Sequence, residues 1–201
     1  TTADISIAAG GTYEVTATNT LTGCETTKTI VVNESEFPLF DLNDLTVFDL
    51  TGDGSNRIEI LTGIGALGIG DYEFALDGGP YQDSPIFEDV PPGIHQVSVR
   101  DKNGCGTKSV AASVIGYPLY FTPNGNGQDD NWQVLGVNGV FQSQSLIYIF
   151  DRHGRLLAQI APDGPGWDGT YNGTPMPADD YWFRVGLEDG RTFTGHFSLI
   201  R

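Results

Sequence analysis

The stretch best equipped for chemistry is Asn124-Gly-Asn-Gly-Gln-Asp-Asp130, where side-chain oxygens recur at Asn124, Asn126, Asp129 and Asp130 around two glycines. Calcium takes roughly six to eight oxygen ligands, and a tight Gly-rich loop lets backbone carbonyls join them. The EF-hand pattern does not fit, because Asp129 stands where its sixth-position glycine belongs and Leu135 where its twelfth-position glutamate belongs. Two readings stay open: a calcium site on those four residues, or a turn held by hydrogen bonds from Asn and Asp side chains. A second acidic turn, Asp49-Leu-Thr-Gly-Asp-Gly-Ser-Asn56, lies between two apolar strands, and a hairpin loop explains it without metal.

Other chemistry is sparse. His95 falls on a strand, His153 in the turn Asp151-Arg-His-Gly154 and His196 on the last strand. None lies near a Ser or Cys nucleophile in sequence or shows paired-histidine metal spacing, so all three read as surface or turn residues. No glycine-rich phosphate loop opens a helix. The expectation is a chain with no catalytic residue and, calcium apart, no cofactor.

The elements that would position these residues are strands. Gly (27) and Pro (11) punctuate runs rich in Thr, Val, Ile and aromatics, and no helix is evident. Gly11-Thr-Tyr-Glu-Val-Thr-Ala…Gly23-Cys24 can be laid over Gly93-Ile-His-Gln-Val-Ser-Val…Gly104-Cys105, with the cysteines 81 residues apart. A period of about 80 residues suits a small immunoglobulin-like sandwich. The chain therefore reads as all-β, in tandem immunoglobulin-like β-sandwich modules: residues 1–35 the end of one repeat, 36–116 a second, and 117–201 a third unit. In the second, strands are expected at Leu45–Leu50, Arg57–Thr62, Tyr72–Leu76, Ile86–Val90, Ile94–Arg100 and Lys108–Ile115. In the third, Leu146–Phe150 is apolar on both faces and reads as a central strand. Trp167, in a Gly/Pro-rich stretch, reads as a plug folded back on the sandwich rather than a binding platform. Equivalent points on consecutive sandwiches lie too far apart for a disulfide, so Cys24 and Cys105 are not expected to pair with each other; Cys24 could pair with a residue upstream of this sequence, and Cys105 is expected as a free, shielded thiol.

Charge excludes some partners. With 10 Lys and Arg against 26 Asp and Glu, the net charge is -16, which argues against nucleic acid and anionic membrane surfaces and suits solubility outside the cell. No run approaches the ~20 apolar residues that span a bilayer, so direct membrane insertion is not expected. The chain starts inside a strand-like pattern without an initiator Met, and reads as a fragment.

Five motifs in the third unit carry a resemblance. They are Tyr117-Pro-Leu-Tyr-Phe-Thr-Pro-Asn-Gly-Asn-Gly-Gln-Asp-Asp-Asn-Trp132, Leu146-Ile-Tyr-Ile-Phe-Asp-Arg-His-Gly-Arg155, Gly166-Trp-Asp-Gly-Thr-Tyr-Asn-Gly173, Asp180-Tyr-Trp-Phe183 and Gly195-His-Phe-Ser-Leu-Ile-Arg201. In order and spacing they resemble the type B sorting domain of the Bacteroidetes type IX secretion system, the gliding motility-associated C-terminal domain. That family often has Asp where this chain has Asn126, which weakens the calcium reading. The stretch Tyr72–Tyr81 followed by Gly93–Cys105 more loosely resembles repeats of gliding adhesins such as SprB.

The resemblance implies a secreted, adhesin-like protein of the cell surface, attached at the outer membrane. Its implied partners are the type IX outer-membrane translocon and a PorP/SprF-like outer-membrane protein. The exposed last strand is the expected docking edge, with Phe193, His196, Phe197 and Arg201 as the docking residues. Two alternatives stand beside it: the sorting region of a hydrolase whose catalytic domain lies upstream, and a glycan-binding module with Tyr81 or Trp182 as platform.

Overall fold

The computed structural model describes residues 4–50, 55–63, 65–188 and 190–201. It begins with a hairpin of β1 (Gly11–Thr18) and β2 (Glu25–Val32), paired antiparallel from Gly11↔Val32 to Thr18↔Glu25. The β-branched residues Thr, Val and Ile, together frequent in both strands, suit the pleat. At the turn, the Asn19 side-chain oxygen accepts from the Leu21 and Thr22 amides, at 2.9 and 3.2 Å.

Two three-stranded sheets form the middle module. Asp41 caps a short 3-10 turn, Leu42–Asp44, which leads into β3 (Leu45–Phe48). Then follow β4 (Arg57–Ile60), β5 (Tyr72–Leu76), β6 (Ile86–Phe87), β7 (Gly93–Asp101) and β8 (Thr107–Val114). The sheets have the orders β3-β4-β6 and β5-β7-β8, and between them lie Phe40, Ile58, Ile60, Phe74, Val97 and Val99. All six expected strands are present. Three end at least two residues earlier than expected, β3 at Phe48, β4 at Ile60 and β6 at Phe87, the last ahead of Asp89 at φ +54°. The amide of Val90 then bonds to the Asn56 carbonyl, and the Asn56 side chain returns a bond to the Val90 carbonyl.

The repeat is visible as geometry. Each hairpin end recurs 82 residues on, Gly11 as Gly93 and Val32 as Val114, with the register unchanged between. The turns correspond too: Asn19 N–H bonds to Cys24 O as Asp101 N–H does to Gly106 O. The cysteines are thus one position out of step, because Cys24 matches Gly106 and the Gly-Cys pair has slid within a loop of constant length.

In the C-terminal module the strands are β9 (Tyr120–Phe121), β10 (Leu146–Phe150), β11 (Leu156–Ile160), β12 (Thr170–Tyr171), β13 (Thr174–Pro175), β14 (Asp179–Gly186) and β15 (Thr192–Leu199). Five of them make one sheet in the order β11-β10-β14-β15-β9, antiparallel except for the β15–β9 pair; β12 and β13 form a small separate hairpin. One face of the large sheet is sealed by loops that carry Trp132 and Trp167. Trp132 stacks on Phe197 at 4.1 Å and donates its indole N–H to Pro118 O; Trp167 lies edge-on to Tyr181 and donates to Thr170 O. The two tryptophans also exchange backbone bonds of 2.9 and 2.8 Å. Gly166 makes this crossing possible: at φ +90°, a Cβ there would meet Trp132 O at 2.4 Å. Trp167 is therefore the plug its sequence suggested, and burial of such a ring is worth roughly 1.5–3 kcal/mol.

The middle and C-terminal modules share a junction. Ile115 is 1% exposed within the C-terminal core, and Gly116 pairs with Leu135. The Asp49 carboxylate accepts from Ile115 N–H at 2.9 Å and from the Arg191 guanidinium at 2.6 Å. Leu50 packs against the C-terminal core, and Ser113 donates to Gly136 O at 2.6 Å. A cut between Gly116 and Tyr117 would remove a buried residue from the C-terminal unit. A lighter junction ties the first hairpin to the middle module: Ser35 donates to Asp101, which also accepts from the Cys105 amide.

Candidate functional site

The loop Asn124–Asp130 is organised by its own amides. Asp130 accepts from Asn124 and Gly125 through one carboxylate oxygen and from Gly127 through the other, at 2.6–2.8 Å. Asn124 and Asn126 each accept from the amide two residues on. The Gly125 and Gly127 amides, with a smaller part from Asn124, hold the Asp130 carboxyl below its ordinary value against an opposing effect of burial. Asp129 is exposed and sits at φ +50°. This is the geometry of successive Asx turns. In the second acidic turn, Thr51–Gly54 lie outside the described residues, and Asp49 faces the module junction. Among the described residues no three His, Cys, Asp or Glu side chains gather as a metal-binding group.

The histidines are dispersed. His95 is a correction to the surface reading: it is 8% exposed, with Nδ1 2.7 Å from Asp77 and Nε2 2.7 Å from Pro91 O. Its strand position faces the sandwich, with an oxygen acceptor at each ring nitrogen. Burial raises the Asp77 carboxyl, but the hydrogen bonds from His95 and the Gln96 amide outweigh it and leave it lowered. His153 is exposed in a turn whose amide bonds to Asp151. His196 is exposed beside Trp182, ring centres 6.3 Å apart.

Both cysteines are free. Cys105 is exposed rather than shielded, since it sits in the turn after β7; its thiol bonds to Ser35 O at 3.1 Å. Tyr81 is covered by the Arg100 guanidinium at 3.7 Å, so its ring is no open platform.

The last strand is less open than its position suggested. Its final residues are covered by β9, through Ser198↔Tyr120 and Leu199↔Phe121, which leaves the free edge toward Thr192. Phe197 is fully buried and serves the core, not a docking surface. Phe193 is half-buried against Phe183. Arg201 donates to Met176 O and Gly169 O, so it ties the chain end to the β12–β13 region. Of the four expected docking residues, His196 alone is both exposed and without such an anchoring role.

A broader surface lies on the sheet's other face. Ile147 and Ile149 of β10 are fully buried, but Leu146 is 49% exposed and Tyr148 and Phe150 are half-exposed. The strand is paired on both sides as expected, yet only one of its faces is covered. Trp182 (41% exposed) and Arg184 of β14 stand on the same open face. The uninterrupted apolar run Leu146–Phe150 concealed this face; the one local signal was Asp180-Tyr-Trp-Phe-Arg184, where Trp182 must point opposite to Tyr181 and Phe183.

Residues 115–199 match the CHU_C type IX secretion signal domain. Among solved structures, the chain is similar to a "Biofilm associated protein - BSP domain" at TM-score 0.27 and 15% identity, over 78% of this chain and 29% of that one. It is also similar to dimeric latent PorU from Porphyromonas gingivalis at TM-score 0.30 and 14% identity, over 95% of this chain and 24% of that one. The chain thus spans less than a third of either structure's length. No curated protein matches it.

Proposed function

The C-terminal module is a type IX secretion signal domain, and from that premise we propose that the chain is the sorting end of an adhesin-like, non-enzymatic surface protein. The match over residues 115–199 supports a sorting region of a type IX-secreted protein. The adhesin-like reading rests on the hairpin repeated at 82 residues with its register intact, which favours an array of like modules. In this reading the exported protein stays at the outer membrane, held by a PorP/SprF-like partner of the translocon, in the manner of gliding adhesins.

One observation supports a signal that is read as a fold. The aromatics of the matched segment, Trp132, Tyr181, Phe183 and Phe197, form its interior. A receptor reading a linear tail would need none of them. The test fuses the full chain behind a periplasmic reporter in a type IX-competent cell, beside a reporter carrying only residues 192–201. The full chain delivers the reporter to the surface or medium, and the short tail leaves it in the periplasm. Export by the tail alone, or retention of the full fusion, would refute this reading.

A further inference from the structure

We propose that the open face of the C-terminal sheet is the surface gripped by an outer-membrane protein of the export machinery, which inserts an apolar side chain beside a carboxylate that meets Arg184. The inference rests on the export reading above and adds the surface and the chemistry.

Strand registers place the side chains. Leu156 lies opposite Phe150, Phe150 opposite Trp182, and Trp182 opposite His196, so one row crosses four strands. At about 4.8 Å between strands, that row is roughly 14 Å long. The neighbouring row sets Tyr148 opposite Arg184. Leu146, Tyr148, Phe150, Leu156, Arg184 and Gly186 line a shallow groove of about 440 Å³.

Arg184 supplies the charge argument. The side chains of Arg57, Arg100, Arg152, Arg155 and Arg191 each pair with a carboxylate. Arg201 bonds two carbonyls. The Arg184 side chain has no ion pair or hydrogen bond among the described residues, in a chain with 26 Asp and Glu against 10 Lys and Arg. A guanidinium left without a carboxylate in so acidic a chain, at the rim of an apolar groove, is complementary to a carboxylate brought by a partner. Trp, Tyr and Arg are the side chains most enriched where binding energy concentrates, and Trp182, Tyr148 and Arg184 meet here. A second copy fits less well, since two chains of net charge -16 repel.

The test places a photo-crosslinking amino acid at Tyr148 in the full chain, expressed with its reporter in type IX-competent cells. A control chain carries it at Leu21, which is 95% exposed on the first hairpin. Position 148 yields an adduct with an outer-membrane protein, and position 21 does not. Arg184→Glu lowers both the adduct and the exported reporter by at least about tenfold, while Arg184→Lys keeps most of each. Since Arg184 is exposed, the purified Arg184→Glu chain melts within about 3 °C of the unsubstituted one. An adduct with a second copy or with lipid, no adduct, or normal export of Arg184→Glu would overturn the docking face and leave the export reading standing. Retention of the unsubstituted fusion would overturn both.

Discussion

In β1–β2, Val15 is 45% exposed; in β7–β8, at the same register position 82 residues on, Val97 is fully buried. Ile30 and Ala112 form the same contrast, at 41% and 2%. The two hairpins pair over eight positions each in the same register, and their turns are closed by the same backbone bond. What differs is the cover. Over β7–β8 lie Phe40, Ile58 and Ile60, and β5 pairs with the outer edge of β7. Over β1–β2 no such layer lies among the described residues. Pairing and turn chemistry therefore set the hairpin, and the facing sheet turns it into a core.

The sharpest way to break this comparison is to shorten the two valines. Val97→Ala should cost about 2 kcal/mol, from two lost methyl groups and the cavity they leave. Val15→Ala should cost less than about 0.5 kcal/mol. Urea unfolding of each purified variant reads the difference, and equal losses would mean that the first hairpin is covered after all.

Acid is a second probe, because the turns differ in charge where Asp101 replaces Asn19. Burial raises the Asp101 carboxyl, but the Cys105 amide, the Ser35 hydroxyl and further hydrogen bonds outweigh it and hold it below its ordinary value. A carboxyl lowered on folding stabilises the fold above its unfolded value, and that contribution is lost as the pH falls through the folded one. Melting followed into acid should therefore show a decline that Asp101→Asn flattens. Asn19→Asp, which installs the charge without the Ser35-type partner, should restore little of it.

Thiol chemistry gives a smaller contrast. Both cysteines should react with a thiol reagent without denaturant, Cys24 ahead of Cys105, whose S–H is engaged by Ser35 O. Peptide mapping without reduction should find no Cys24–Cys105 link in the monomer. The smallest effect is expected at the Asn124–Asp130 loop. Both Asp130 oxygens already accept amide protons, so millimolar calcium should add far less than the ~2.7 kcal/mol of a ligand at about 100 times its Kd. A calcium-dependent rise in melting temperature that Asp130→Ala abolishes would establish the metal site instead.

Much of this was legible in the residues. Strand positions in the middle module followed from alternation and from Gly and Asn turns, and the Trp167 plug from a large ring flanked by glycines. These are local signals. The misses are long-range. Asp49 and Arg191 meet across 142 positions, and the two-residue strand β9 is too short to show a period. His95 reads like any polar residue of an alternating strand until Asp77 and the Pro91 carbonyl converge on it. The open face over Tyr148 and Trp182 stayed hidden because an apolar run does not reveal that only one of its faces is covered.

In the C-terminal module the entering strand β9 and the departing strand β15 lie side by side and run the same way, joined through Ser198 N–H to Leu119 O and Ile200 N–H to Phe121 O. A tug on the two ends of the module draws these strands lengthwise past each other. Their hydrogen bonds then bear the load together, as in shear. The β14–β15 hairpin, pulled from its open end, would instead unzip one rung at a time. Under tension, this two-residue strap is the clasp that must yield before the aromatic interior is exposed.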